Sequence, residues 1–312
     1  MLESKVKCPK CPAAQYKPSE ELKHKTKFKC PKCKHEFIYL KNIYFESPKS
    51  YPSFSADDFM HPWDKSALNS LKKIPGLGKA TKQMMKYSYE KYVRVNQLGD
   101  NIKVTNRTCS YVHDMVCEAS KKLGVRQPST YLDQNPIVNA YTTCVEEPII
   151  VIQSGLIELC DDDELFAVIA HEMGHIKCEH VLYHMLADFI TIFPSLFPLG
   201  NIMAAPLKIA LLDWSRKSEL SADRLAYIAT ENKEKLISLL MKLAGGSSKL
   251  MDMIDDSDFT SQYSEWESMM QSFGNKVWKF AGTIFRSHPF PIIRACELNS
   301  WINGIEDNRN AA

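Results

Sequence analysis

Asp161-Asp162-Asp163-Glu164-Leu165-Phe166-Ala167-Val168-Ile169-Ala170-His171-Glu172-Met173-Gly174-His175 is the stretch on which the reading of this 312-residue chain turns. Four carboxylates stand where a helix N-terminus carries its positive partial charge, and the apolar run behind them leads into two histidines. At 3.6 residues per turn His171 and His175 lie about 40° apart on one face, so both imidazoles reach a single ion. Glu172 sits beside them, placed to act on a water at that ion rather than to ligate it. His180 and His184 follow closely. They lie about 180° and 140° around from His171, which rejects both as further ligands from this helix, so surface or core-polar positions are expected for both.

An ion held this way needs a third protein ligand and keeps one position for water. Residues 215–226 read as a second helix, with Glu219 and Asp223 on one face and the small Ala222 and Ala226 beside them. Small residues let helices approach closely. Glu219 can then ligate, and Asp223, one turn on, can accept the free ring N–H of a liganding histidine and fix its tautomer.

Working outward, residues 108–124 read as an amphipathic helix ending at Gly124, followed by β-type runs at 130–132, 139–143 and 149–153. Residues 148–152 are apolar on both faces, as a strand buried under helices would be.

The head of the chain differs from this body. Cys8, Cys11, Cys30 and Cys33 form two Cys-x-x-Cys knuckles separated by 18 residues, the spacing of a four-thiolate structural zinc site. With Tyr16, Phe28, Phe37 and Tyr39 suited to short strands, residues 1–40 read as a zinc ribbon, which outweighs a redox reading of the pairs. His24 and His35 are expected as exposed bystanders. Cys109, Cys117, Cys144, Cys160, Cys178 and Cys296 read as small, mostly buried thiols. Ten lysines against four glutamates give residues 1–40 a charge of +6, while the whole chain carries +2. An acidic protein is the expected partner of this head. Nucleic acid is not, because lysines without interleaved aromatics give charge but little base reading. Residues 41–62, rich in Ser and Pro, read as a linker. Ile74-Pro75-Gly76-Leu77-Gly78-Lys79 resembles a DNA-binding hairpin, but a plain connection between helices accounts for it equally well. No apolar leader precedes the first knuckle, so a reducing, cytoplasmic setting is expected.

Taken together, Asn139-Ala140-Tyr141, Ser154-Gly155-Leu156, His171-Glu172-Met173-Gly174-His175, Glu219-Leu220-Ser221-Ala222-Asp223-Arg224 and His288-Pro289 with Arg294 resemble the gluzincin peptidases related to HtpX and the CAAX prenyl proteases. The resemblance spans about residues 63–300. It implies an α+β fold, a mainly helical zincin-like domain over 63–312 with a small β-sheet, and zinc-dependent endopeptidase activity on peptides or proteins. It implies His171, His175 and Glu219 as ligands of a catalytic zinc, Glu172 as general base for a metal-activated water, and Asp223 as the acceptor behind a ligand. It also implies that His288 and Arg294 face the substrate carbonyl and that Asn139 and Ala140 lie on the strand receiving the peptide. The competing reading is a zinc-ribbon adaptor for an acidic protein or nucleic acid, with an inactive protease-like domain.

Many of that family's members are embedded in membranes. Here residues 181–212 are apolar but interrupted by Asp188, Pro194, Pro198, Asn201, Pro206 and Lys208, leaving no window of about 20 apolar residues. Two short helices over the site, or peripheral contact with lipid, are expected instead of a spanning hairpin.

Overall fold

A computed structural model of the chain describes residues 3–7, 14–18, 26–29, 31–34, 36–39, 54–75, 77–84, 89–192, 200–245, 253–254, 256–272 and 290–310. Two units separate, Met1–Lys49 and Ser50–Ala312.

In the first unit β1 (Glu3–Lys7) pairs antiparallel with β2 (Ala14–Pro18), and β3 (Thr26–Lys29) with β4 (Glu36–Tyr39). Each Cys-x-x-Cys therefore falls between two paired strands. Cys33 is exposed in a turn, whereas Cys8, Cys11 and Cys30 lie outside the described residues, as do His24 and His35.

The second unit begins with a short 3₁₀ turn and α1 (Pro62–Lys72), whose Pro62 occupies the first helical position, where a missing N–H costs nothing. Phe59 and His61 fall within the stretch expected as linker, yet both are buried. The Arg224 guanidinium donates to the Phe59 carbonyl at 3.2 Å, and the His61 N–H donates to Ser221 Oγ at 2.9 Å. From residue 54 onward the described chain packs on the larger unit. The hairpin-like hexapeptide falls at the connection from α1 to α2 (Leu77–Met84).

After α3 (Glu90–Asp100) comes a four-stranded sheet: β5 (Ile102–Lys103), β6 (Ser129–Asp133), β7 (Ala140–Thr143) and β8 (Ile149–Gln153), in the order β5-β6-β8-β7. Strand β8 runs parallel to β6 and antiparallel to β7. All five β8 residues are buried, as their unbroken apolar run requires, and β7 is left at the edge. Helix α4 (Ser110–Leu123) leads into the sheet and ends at Gly124, whose φ of 59° is left-handed backbone that glycine adopts without penalty. Helix α5 (Ser154–Leu159) follows the sheet.

The next helix organises the unit. Helix α6 (Asp162–Lys177) opens with a capping box in which Asp161 accepts from the Glu164 N–H and Glu164 returns the bond to the Asp161 N–H. It packs against α4, α8 (Gly200–Thr230), α9 (Lys233–Ala244) and β7, and every residue from Glu164 to His175 is buried. A helix apolar nearly all round must be enclosed this way. Its closest approach is to α8: a Cβ added at Gly174 would stand 2.8 Å from Ala222 Cα. Helices α1, α7 (Val181–Ile192) and α8 share an apolar seam of Leu68, Leu71, Tyr183, Leu186, Ile190, Leu211 and Trp214. Ile237, Leu240, Met241, Phe259 and Ala295 join α9 to α10 (Asp256–Ser272) and α11 (Pro291–Asn310). Residues 181–212 thus include α7 and the start of α8, and among the described residues no helix is long and apolar enough to cross a membrane.

Two outcomes follow for α6. Burial opposes the charge on Asp161, but Lys235 and the Glu164 N–H outweigh it and hold its carboxyl below the usual range. Such a group stabilises the fold above its unfolded pKa of about 3.9 and loses that contribution as pH falls further. Asp161→Ala is expected to lower stability by about 1 kcal/mol at pH 7 in urea unfolding, with the deficit shrinking toward pH 3. Gly174→Val is expected to cost about 1–3 kcal/mol through overpacking against the α8 backbone, read as a lower unfolding temperature.

Candidate active site

Helix α6 turns His171 and His175 toward α8, and α8 answers with Glu219. The Nε2 atoms of His171 and His175 are 3.3 Å apart, and they lie 3.5 and 3.4 Å from the two Glu219 carboxylate oxygens. All three side chains are buried. A tetrahedral ion with donors at about 2.0–2.1 Å sets its ligands about 3.3–3.4 Å from one another, so this constellation has the dimensions of a zinc site. The chemistry of the donors agrees, being two imidazoles and a carboxylate.

Hydrogen bonding behind the rings sharpens the argument. Asp223 Oδ1 lies 2.9 Å from His171 Nδ1, and an ionised carboxylate can only accept, so the proton of a neutral His171 ring sits on Nδ1. Its Nε2 then presents a lone pair inward. Without a cation, Glu219 and Asp223 overcome the burial that disfavours a charged ring and push His171 up to about 10.

Asp223 is itself gripped by Arg294 of α11, whose Nε and Nη2 reach its two oxygens at 2.8 and 2.6 Å. Burial disfavours the carboxylate, but Arg294 and His171 hold it at about 2. Arg294 also lies 3.3 Å from Glu219. The resemblance implies that Arg294 faces a substrate carbonyl. The guanidinium borders the cavity, but its fork matches the carboxylate plane and is directed onto Asp223. His288 lies outside the described residues.

His180 is core-polar, one of the two positions expected for it, and fully buried. The helix ends at Lys177, Glu179 takes a left-handed φ of 60°, and the His180 N–H bonds the His175 carbonyl at 2.9 Å. The chain doubles back beneath the motif. His180 Nδ1 therefore stands 3.1 Å from His175 Nδ1, while its Nε2 is 2.9 Å from Asp64 Oδ2 of α1. Burial pulls the His180 pKa below its ordinary value despite Asp64. His184 is half-buried, within hydrogen-bonding reach of Ser215 and Ser218.

Glu172 borders the same cavity as His171 and Glu219 and reaches toward the sheet edge. Thr142 of β7 donates its hydroxyl to Glu172 Oε2 at 2.6 Å and also lies 3.1 Å from the Glu172 carbonyl. Ala140 belongs to β7, and Asn139 directly precedes it, accepting from the Gln153 N–H at 3.0 Å. A cavity of about 450 Å³ on one side of this edge is lined by His171, Glu172, Glu219 and apolar residues including Leu156, Val168, Leu236, Leu239, Leu240 and Leu243. A second, of about 410 Å³, shares Asn139, Ala140, Glu172 and Glu219 but is walled by Asn96, Gln97, Tyr141, Thr143 and Ser215. Thr142 and Asp64 escaped the sequence reading, as did the contact that His180 makes with His175. Of these, His180 alone carried a signal, since it follows the motif by five residues.

Comparison with known proteins agrees with this geometry. Residues 106–302 match Peptidase family M48. The plastoglobule-localized metallopeptidase 48 of Arabidopsis thaliana is 34% identical over 262 residues, covering 83% of this chain and 76% of the relative. A protease HtpX homolog of Sulfurihydrogenibium sp. (strain YO3AOP1) is 33% identical over 82 residues, covering 26% of this chain and 28% of that relative. The crystal structure of S. mikatae Ste24p aligns with a TM-score of 0.41 at 16% identity, covering 76% of this chain and 62% of that one. Matched by that family over well over half its length, the chain belongs to peptidase family M48 and is a metallopeptidase.

Proposed function

We propose that the chain is a zinc-dependent endopeptidase in which His171, His175 and Glu219 hold the catalytic zinc and Glu172 is the general base. The observation that carries this reading is the 3.3–3.5 Å approach of three donors from two helices, with Glu172 beside them at the mouth of both cavities. Zinc, when bound, supplies a Lewis acid that polarises a peptide carbonyl and makes water easier to deprotonate.

The chain's own residues perform the rest. Glu172 takes the proton of the attacking water and returns it to the leaving amine, and the Thr142 hydroxyl fixes which carboxylate oxygen faces the cleft. Asp223, clamped by Arg294, keeps the His171 Nε2 lone pair turned inward. In this reading Arg294 is a positioning residue, and His288 is the remaining candidate donor to the developing oxyanion. A peptide binds as an added strand on β7, pairing with backbone groups from Asn139 onward irrespective of its side chains. Side-chain preference then arises beside the scissile bond, where the leucine-lined cavity accepts an apolar residue and the opposite cavity meets polar groups.

The first unit completes the proposal. Cys8, Cys11, Cys30 and Cys33 would hold a structural zinc across the two paired-strand ribbons, a reading supported by the position of each knuckle between paired strands. The surrounding lysines suit an acidic protein partner. Peripheral contact with lipid through residues 181–212 belongs to the same reading, and the Arabidopsis thaliana relative is by its name plastoglobule-localized.

Unbiased peptide-library cleavage by the full chain is the direct test. Wild type is expected to cut and to stop when zinc is chelated, while Glu172→Gln keeps its zinc and loses activity by about 10²–10⁴-fold. Cleavage that persists in either condition overturns the mechanism. The recovered cleavage sites are expected to share an apolar residue beside the cut, and Leu243→Asp to lower kcat/KM for those sites by about tenfold.

A further inference from the structure

We propose that Asp64 and His180 form a positioning relay for His175, in which Asp64 orients the His180 ring and His180 orients the ligand. This rests on the reading of His175 as a zinc ligand. Asp64 and His180 are each fully buried, so no water competes for their contacts.

The order of protons follows from chemistry. Asp64, when ionised, is an acceptor without a donor, so the facing His180 Nε2, in ion-pair contact at 2.9 Å though off the hydrogen-bond line, is the nitrogen on which a hydrogen is favoured over a lone pair. A neutral imidazole has one N–H, which makes His180 Nδ1 the acceptor. His175 Nδ1, 3.1 Å away, must then donate, and the His175 lone pair is left on Nε2, facing Glu219 and His171. The anchor at the far end is rigid. Asp64 Oδ1 accepts from the Trp214 indole at 3.0 Å and Oδ2 from the Ser221 hydroxyl at 2.5 Å, both from α8.

The two ligand histidines are thus backed by two separate carboxylates. His171 has Asp223 directly, and His175 has Asp64 at one remove. Asp64 comes from α1, upstream of residues 106–302, so this support enters from outside the stretch matched by the family. Fixing tautomer and ring orientation in this way raises ligand basicity, and loss of such a partner typically costs about 10–100-fold in metal affinity.

The test uses the full chain, with zinc affinity measured by chelator competition and the visible spectrum of the cobalt(II)-substituted protein as a second readout. His180→Leu is expected to bind about 10–100-fold more weakly and to alter the cobalt spectrum. His180→Asn, which keeps an acceptor near the place of Nδ1 and a donor toward Asp64, is expected to recover most of the affinity. Asp64→Asn is expected to weaken binding in the wild-type background and to add little to His180→Leu, because the two act through one contact.

Equal losses for His180→Leu and His180→Asn, or additive losses for the pair, indicate packing alone and overturn the relay. So does wild-type affinity in every variant. His175 and His180 also come within ligand distance of His184. A zinc count that falls by a whole ion in His180→Asn, with Glu219-dependent zinc still present, overturns the relay in favour of an ion among those three. A wild type whose zinc content is unaffected by Glu219→Gln overturns the metal centre itself, an outcome distinct from failure of the relay alone. Unfolding temperatures of the metal-free variants separate loss of affinity from loss of fold.

Discussion

The approach of α6 to α8 at Gly174 and Ala222 governs how far apart the three candidate ligands stand. Two imidazoles one turn apart on a helix are a local property of sequence, but the carboxylate that completes the set comes from a different helix. The separation of the two axes must therefore be correct to within a fraction of an ångström. A missing side chain at Gly174 lets the backbones close to the distance at which Glu219 reaches both rings. Burial of α6 on its other faces, against α4, α9 and β7, prevents it from sliding away. Interiors this closely packed deform little, which suits a site whose geometry must be set before its ion arrives.

Electrostatics raise the stakes of that packing. Glu172, Glu219, Asp223 and Asp64 are all buried within a few turns of one another, and Arg294 is the guanidinium that meets Asp223 and Glu219 there. Buried charge is costly unless paired. Each carboxylate has a stated partner: Arg294 for Asp223, His180 with Trp214 and Ser221 for Asp64, Thr142 for Glu172, and the facing imidazoles for Glu219. A divalent cation held there would relieve the remaining negative charge, which would link its binding to consolidation of the fold.

Much of this was legible before any coordinates. Local rules sufficed for α6, because its acidic start, apolar run and histidine spacing all act within one helix. The Gly124 stop, the buried β8 and the pairing of Glu219 with Asp223 were readable for the same reason. Contacts across long separations were not. Asp64 meets His180 across a separation of 116 in residue number, and nothing in the composition of α1 marks it. His180 is core-polar as expected, but its place beneath His175 was not readable, because the angular argument followed one helix past Lys177 whereas a left-handed residue at Glu179 folds the chain back. Thr142 was invisible because a hydroxyl one residue inside a short strand has many ordinary uses. Arg294 was expected to face substrate, and the competing attraction of Asp223 could be seen only once α11 lay against α8.

If a peptide adds to β7 as proposed, the brevity of that strand bears on which proteins the enzyme attacks. Four residues span about 13 Å, enough to pair with a short extended segment and too little to pull one out of a neighbouring sheet or helix. A polypeptide that docks there must already have such a segment loose. Susceptibility would then follow how often a target opens locally rather than how often a particular side chain occurs in it, so damaged or incompletely folded chains would be degraded ahead of their intact counterparts.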